Sequence, residues 1–337
     1  MSLATKYRPA SFETTLAQGS TIKILQKQLE LNKFTNCYLF AGPSGCGKTT
    51  IARIFGNLIN QNRGQLIEID GASNNGVEAV RDIIDSANQR AVDSEYKIFI
   101  IDECHMITTA GWNAFLKCIE EPPKYTIFMF CTTNPEKIPD TIKNRVMRFN
   151  LSKVNTDLIK QRLLYICQRE GYTNYTESCD YIAKLSNGGV RDAISLLEKA
   201  ANYNTDLSIN NVLDCLGNFS YDSFFNFTGQ LLNGDEAAVL QTLNDYYESG
   251  NDLKLFIESY LEFALDLTKY CLFKSMDVVK IPVSLQARCE GFWSIPDILT
   301  WSNDLVEKVL NIKNTIKYDV NAKTTIEVMF ISICRGN

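Results

Sequence analysis

The amino-acid sequence predicts an α/β core with a five-stranded parallel sheet, followed by helices alone. Three features support this. Short apolar runs alternate with helical periodicity through residues 1–150, a glycine-rich loop joins the first run to a helix, and strand patterning stops after residue 151. In chain order, residues 37–41 (CYLFA) are continuously apolar and 65–69 (QLIEI) alternate. Residues 97–101 (KIFII) and 126–131 (TIFMFC) are again continuous, and 146–151 (VMRFNL) alternate. A strand apolar on both sides is covered on both faces, as in a parallel sheet between helices. Helices are read at 49–58, 77–87 and 111–121, then at 157–169, 178–186 and 190–201. From about residue 206 helix follows helix, with clear spans at 235–249, 252–269 and 304–313. Within the second of these, Leu253, Phe256, Ile257, Tyr260, Leu261, Ala264 and Leu267 recur at helical spacing, a stripe suited to a bundle core. Domain boundaries are expected near residues 150 and 210.

A chain of 337 residues holds two or three domains by length. Residues 1–150 carry 17 basic and 15 acidic side chains, and residues 151–337 carry 17 and 24, so the net charge of −5 sits in the second half. This is not a chain coated with positive charge to wrap nucleic acid, and any DNA contact is expected to be local and in the first half. The 11 cysteines form no C-x-x-C pair and His105 is the single histidine, which excludes a His-rich metal centre and argues against paired zinc ligands. The start, Met1-Ser2-Leu3-Ala4-Thr5-Lys6, has no apolar leader region, and no run approaches the ~18 apolar residues of a membrane span. Reduced core thiols in a cytoplasmic protein, with no membrane partner, are expected.

Gly42-Pro43-Ser44-Gly45-Cys46-Gly47-Lys48-Thr49 matches G-x-x-x-x-G-K-[ST], and it follows a strand and opens a helix as that motif requires. Backbone N–H groups of such a loop, with the helix N-terminus behind them, cradle phosphate oxygens. Lys48 is expected to reach the β and γ phosphates and the Thr49 hydroxyl to hold Mg²⁺. Asp102 and Glu103 follow the apolar run 98–101, at the strand tip where ligands bind in open α/β sheets. Asp102 is expected in the Mg²⁺ shell, and Glu103 is expected to orient the attacking water. Two successive carboxylates suit hydrolysis better than nucleotide storage. The chain has no Asn-Lys-x-Asp segment to read guanine, which favours ATP.

Several strings then resemble the AAA+ ATPase core, and more closely the gamma/tau-type ATPase subunits of replicative sliding-clamp loaders. Lys6-Tyr7-Arg8-Pro9 resembles K-[YW]-R-P, and Thr15-Leu16-Ala17-Gln18 stands where the family has V-x-G-Q. Residues 67–73 (IEIDGAS) resemble L-I-E-I-D-A-A-S, and 101–106 (IDECHM) resemble I-D-E-x-H-M. Residues 113–123 (NAFLKCIEEPP) resemble N-A-L-L-K-x-L-E-E-P-P, a very specific string. Residues 132–139 (TTNPEKIP) and 188–193 (GGVRDA) also find counterparts, and the matches run in order to about Ala201.

The resemblance implies a P-loop AAA+ core at 1–150, a small helical lid at 151–210 and an all-α collar for oligomerisation at 211–337. It implies that Thr133 is the sensor beside the γ-phosphate and that Arg191 is a lid arginine reaching the nucleotide in the same chain. Arg145 would be an arginine finger reaching the nucleotide of a neighbouring subunit. Tyr7, Arg8, Pro9 and Gln18 would line the adenine side, and Thr50 would complete the nucleotide-contacting run. The implied activity is ATP hydrolysis that opens a sliding clamp and loads it onto primer–template DNA. The implied partners are several copies of the chain, at least one different subunit, the clamp and the DNA. The alternatives are another AAA+ DNA motor, for branch migration or helicase loading, and a non-hydrolysing structural subunit of a clamp loader. The motor should lack the E-E-P-P string, and the structural subunit usually has a damaged P-loop.

Three departures stand out. The finger reads Asn144-Arg145-Val146 rather than S-R-C. Residues 57–64 carry no cysteine where many relatives hold a four-cysteine module, so no zinc is expected. Asn74, Asn75 and Gly76 stand where relatives place basic DNA-contacting residues. That leaves Asn74 and Asn75 as neutral contacts and Arg81 and Lys117 as the basic DNA-binding candidates. Together they mark a divergent version, cellular or phage-encoded.

Overall fold

The computed structural model describes residues 1–64, 66–216, 221–319 and 321–336. The first half runs α1 Leu3–Lys6, α2 Gly19–Leu31, β1 Cys37–Ala41, α3 Lys48–Ile59, β2 Ile67–Asp70, α4 Val77–Ala87, β3 Lys97–Asp102, α5 Thr109–Glu120, β4 Thr126–Thr132, α6 Asp140–Lys143 and β5 Met147–Asn150. The five strands form one parallel sheet in the order β2-β3-β4-β1-β5. The order explains the patterning. The central strands β1, β3 and β4 carry the continuous apolar runs, whereas the edge strands β2 and β5 alternate.

Because side chains alternate across a strand, each central run feeds two cores. Tyr38, Phe40, Ile98, Ile100 and Met129 pack with Ile51 and Phe55 of α3 on one face. Leu39, Phe99, Ile101, Phe128 and Phe130 pack with Val80, Ile83, Trp112 and Phe115 of α4 and α5 on the other. Strand ends differ slightly from the reading. β3 and β4 each extend one residue further, to Asp102 and Thr132. β2 begins at Ile67 and is held to Asp70 by its pairing with Phe99–Asp102. Gln65, expected to open that strand, lies outside the described residues. The helix expected from 111 starts at Thr109, because Thr108 caps it by accepting a hydrogen bond from Gly111 N at 3.1 Å.

The rest of the described chain is helical: α7 Thr156–Glu170, α8 Thr176–Leu185, α9 Val190–Tyr203, α10 Ile209–Leu216, α11 Tyr221–Leu232, α12 Glu236–Glu248, α13 Leu253–Phe273, α14 Gln286–Trp293, α15 Ile298–Ile316 and α16 Ala322–Cys334. The chain divides into two compact units. The first is Met1–Ile166 with Ser186–Glu198, and the second is Cys167–Leu185 with the chain from Lys199 onward. The division passes through α7 and α9.

The second unit is built on its own aromatic core. Phe224, Phe225 and Phe227 of α11 meet Phe256, Tyr260 and Phe263 of α13, closed by Val309 and Ile312 of α15 and Phe330 of α16. The Thr228 and Tyr260 hydroxyls lie 2.9 Å apart within it, so the buried phenol oxygen has a partner. The stripe predicted along 252–269 supplies the α13 face of this core, with Leu261 partly buried at its edge. No described helix is long and apolar enough to cross a membrane.

Candidate active site

The glycine-rich loop leaves the C-terminal end of β1, and its first peptide is tied to the sheet by Gly42 N donating to Thr132 O at 3.1 Å. Gly45 and Gly47 take positive φ of 69° and 102°, values that L side chains seldom adopt, and these turn the loop onto the start of α3. Gly45 also allows a close approach. A Cβ there would stand 3.0 Å from Gly189 Cα, and the bare backbone lets Gly45 O accept from Val190 N at 3.1 Å. The first residues of α9 are thereby fixed against the loop, and Arg191 and Val190 line the same pocket as Ser44, Gly45, Cys46 and Gly47.

Lys48 is buried at 6% exposure, and its Nζ donates to Gly42 O at 3.0 Å and Pro43 O at 2.8 Å. Gly42 and Pro43 therefore contribute carbonyls that hold the lysine and do not line the pocket themselves. Thr49 Oγ1 donates to Asp102 Oδ2 at 2.8 Å, while Asp102 Oδ1 accepts from Glu103 N at 3.0 Å. A hydroxyl and a carboxylate placed together are the hard oxygen donors that Mg²⁺ takes. Soft competitors are suppressed. Burial raises the thiol pKa of Cys104 and Cys131 well above the ordinary range, with the Asp102 and Glu103 carboxylates adding to it. Burial also raises Cys46, partly offset by Lys48. These thiols stay protonated at neutral pH and are poor metal ligands.

Glu103 sits in the left-handed region at φ 44°, a conformation that is costly for a non-glycine residue and that swings its side chain off the strand end into the pocket. Its Oε2 accepts from Thr133 Oγ1 at 3.0 Å and lies 3.1 Å from His105 Nδ1. Thr133 thus meets the catalytic candidate directly although it does not line the pocket. On another wall, Tyr7, Arg8 and Pro9 join Thr15 and Leu16, and Thr50 lines the pocket beside Thr49.

Gln18, expected on the adenine side, is placed elsewhere, and Arg145, expected to act on a neighbouring chain, stands apart from its own pocket. Gln18 does not line the pocket. Its amide clasps the backbone of Ser152, donating to Ser152 O at 2.7 Å and accepting from Ser152 N at 3.2 Å, and this consumes the side chain. Arg145 is also outside the pocket, on the surface after α6. It donates to Thr141 O at 2.6 Å and pairs with Glu120 of α5 at 2.7 Å. Arg162 was missed by sequence reading. It lines the pocket and donates to Thr14 O at 2.5 Å, yet in the sequence it is one polar residue of an amphipathic helix.

Among the DNA candidates, Asn74 Nδ2 donates to Asp70 O at 3.0 Å, and Asn75 Nδ2 donates to Ala72 O at 3.3 Å, so both amides are engaged locally. Asn75 O accepts from Thr108 N and Oγ1, each at 3.1 Å, latching this turn to the start of α5. Arg81 on α4 and Lys117 on the neighbouring α5 are exposed.

Comparison with known proteins agrees with this architecture. Residues 60–155 match the family model "DNA polymerase III, delta subunit", and residues 207–290 match "DNA polymerase III subunits gamma and tau domain III". The chain is 31% identical to DNA polymerase III subunit tau of Bacillus subtilis, over 98% of this chain and 62% of the relative. It is 32% identical to subunit gamma/tau of Mycoplasma genitalium, over 81% and 50%. It therefore spans half to six-tenths of the length of those two. It is 32% identical to subunit gamma of Buchnera aphidicola, over 77% of this chain and 78% of the relative. Among solved structures, the Thermotoga maritima RuvB Holliday junction branch migration motor aligns at TM-score 0.54 and 20% identity, covering 67% of this chain and 79% of its own, a likeness of fold. With the parallel sheet, the P-loop and the helical second half, these matches establish that the chain has the AAA+ fold and belongs to the DNA polymerase III gamma/tau subunit family.

Proposed function

We propose that this chain hydrolyses ATP as a subunit of a sliding-clamp loader. The observation that carries the reading is that Lys48, Thr49, Asp102, Glu103 and Arg191 all line one pocket. The loop N–H groups and Lys48 would bind the β and γ phosphates, with Lys48 exchanging its carbonyl partners for phosphate oxygens of similar reach. Thr49 and Asp102 would hold Mg²⁺, which when bound neutralises charge on those oxygens. Glu103, braced by Thr133, would orient a water in line with the γ-phosphate. Arg191 would reach the nucleotide from α9 of the same chain. Arg145, outside its own pocket and exposed, is suited to a neighbouring chain's γ-phosphate and would leave Glu120 to get there. Lid and collar roles for residues 151–210 and 211–337, Arg81 and Lys117 as phosphate contacts of primer–template DNA, and a cytoplasmic setting belong to the same reading.

The test is steady-state ATP turnover of the chain assembled with its partner subunits, with and without clamp and primed DNA. Wild type is expected to be stimulated by clamp plus DNA, and both Lys48→Ala and Arg145→Ala to lose at least about 100-fold of the stimulated rate, as removal of charge-stabilising groups does in phosphoryl transfer. Retained stimulation in Arg145→Ala would contradict its action across subunits. A wild type indifferent to clamp and DNA would contradict clamp loading.

A further inference from the structure

His105 is the single histidine of the chain and is used neither by the P-loop nor by the phosphate-facing residues. Its side chain is 9% exposed, and it meets Glu103, Thr132 and Asn134 at the C-terminal ends of β3 and β4. Nδ1 lies 3.1 Å from Glu103 Oε2 and 3.2 Å from Thr132 Oγ1. Nε2 lies 3.4 Å from Asn134 Nδ2. Thr132 is fully buried, and its Oγ1 accepts from Asn134 N at 3.0 Å, so the group behind the ring is itself fixed.

These partners favour one placement of the ring proton. A carboxylate oxygen only accepts, so a proton on Nδ1 suits its 3.1 Å approach to Glu103 Oε2, with Thr132 Oγ1 at 3.2 Å able to share it, and Nε2 then accepts from the Asn134 amide. An imidazole protonated at Nδ1 is compatible with these contacts. His105 Nδ1, at 3.1 Å, and the Thr133 hydroxyl, which donates at 3.0 Å, both approach the same Glu103 oxygen, Oε2. Oε1 is the oxygen left for a water, on a residue that lines the pocket.

We propose that His105 is a positioning residue that fixes the Glu103 carboxylate for hydrolysis, through an Nδ1–H donor held in place by Thr132 and Asn134. The proposal rests on the ATP-hydrolysing reading of this pocket. Thr133 alone leaves the carboxylate free to rotate about its one hydrogen bond, whereas the second donor on the same oxygen fixes the plane. A misplacement of about 1 Å in such a group costs roughly 100-fold in rate.

Substitution separates position from packing, because the side-chain nitrogen of asparagine is bonded to Cγ as Nδ1 is, whereas that of glutamine falls near Nε2. In the assembled complex with clamp and primed DNA, His105→Ala and His105→Gln are expected to lower kcat about ten- to a hundredfold with KM for ATP unchanged, and His105→Asn to recover most of the rate. Asparagine no better than alanine or glutamine, or a loss confined to KM, would overturn the proposal. A wild type without turnover would overturn the ATPase reading itself, a different outcome. A readout independent of activity is the nitrogen spectrum of the untagged chain labelled at histidine, which holds one imidazole. Nδ1–H is expected, and the Nε2–H tautomer would contradict the contact to Glu103.

Discussion

Ala17 and Gln18 occupy consecutive left-handed positions, at φ 60° and 63°, ahead of α2. Alanine is strained there by about 1–2 kcal/mol, and glycine would relieve it at some cost in unfolded-state entropy. Ala17→Gly is therefore expected to raise stability by about 0.5–1 kcal/mol in denaturant titration, with ATP affinity unchanged, because Ala17 does not line the pocket. A loss of stability would show that the turn does not need this conformation. At this scale the sequence was informative where chemistry is contiguous. The P-loop run and the Asp102-Glu103 pair each carry their own meaning, and the fold brings them together. It was silent where a side chain answers a distant backbone. Gln18 meets Ser152 across 134 residues, and Arg162 reaches the pocket from a helix whose periodicity looks ordinary.

At the scale of elements, the strands were legible because central burial makes continuous apolar runs and edge burial makes alternation. Helices were legible where one face is apolar, as in α4 and α13. α1, α2, α6, α10, α11, α14 and α16 were not marked out as separate helices. In α16 (AKTTIEVMFISIC) apolar and β-branched residues surround the axis, a pattern that periodicity cannot assign to helix or strand. The functional junction between elements is the meeting of the loop with α9. Gly45→Ala would place a Cβ 3.0 Å from Gly189 Cα on a backbone at φ 69°. It is expected to destabilise the first unit by about 1–2 kcal/mol and to weaken ATP binding, measured by thermal unfolding and nucleotide titration. Wild-type affinity in this variant would show that the start of α9 need not touch the loop.

On the scale of the whole molecule, charge and composition argued against a DNA-coating protein and, with a single histidine, against a His-rich metal centre, and they left assembly unaddressed. The acidic excess falls in residues 151–337, which also supply Arg162, Val190, Arg191 and Ile194 to the pocket, while the rest of its lining and the exposed Arg81 and Lys117 lie in residues 1–150. The action proposed for Arg145 between chains has a local trace in Asn144-Arg145-Val146 alone, because the group it would contact lies on another molecule. The most direct measurement is made on Glu103→Gln in the assembled complex, recording ATP affinity and turnover together in the presence of clamp and primed DNA. ATP binding is expected to stay within about twofold of wild type while turnover falls at least about 100-fold, since a neutral amide keeps the shape but cannot polarise the water. Turnover at the wild-type rate in this variant would contradict hydrolysis by this pocket.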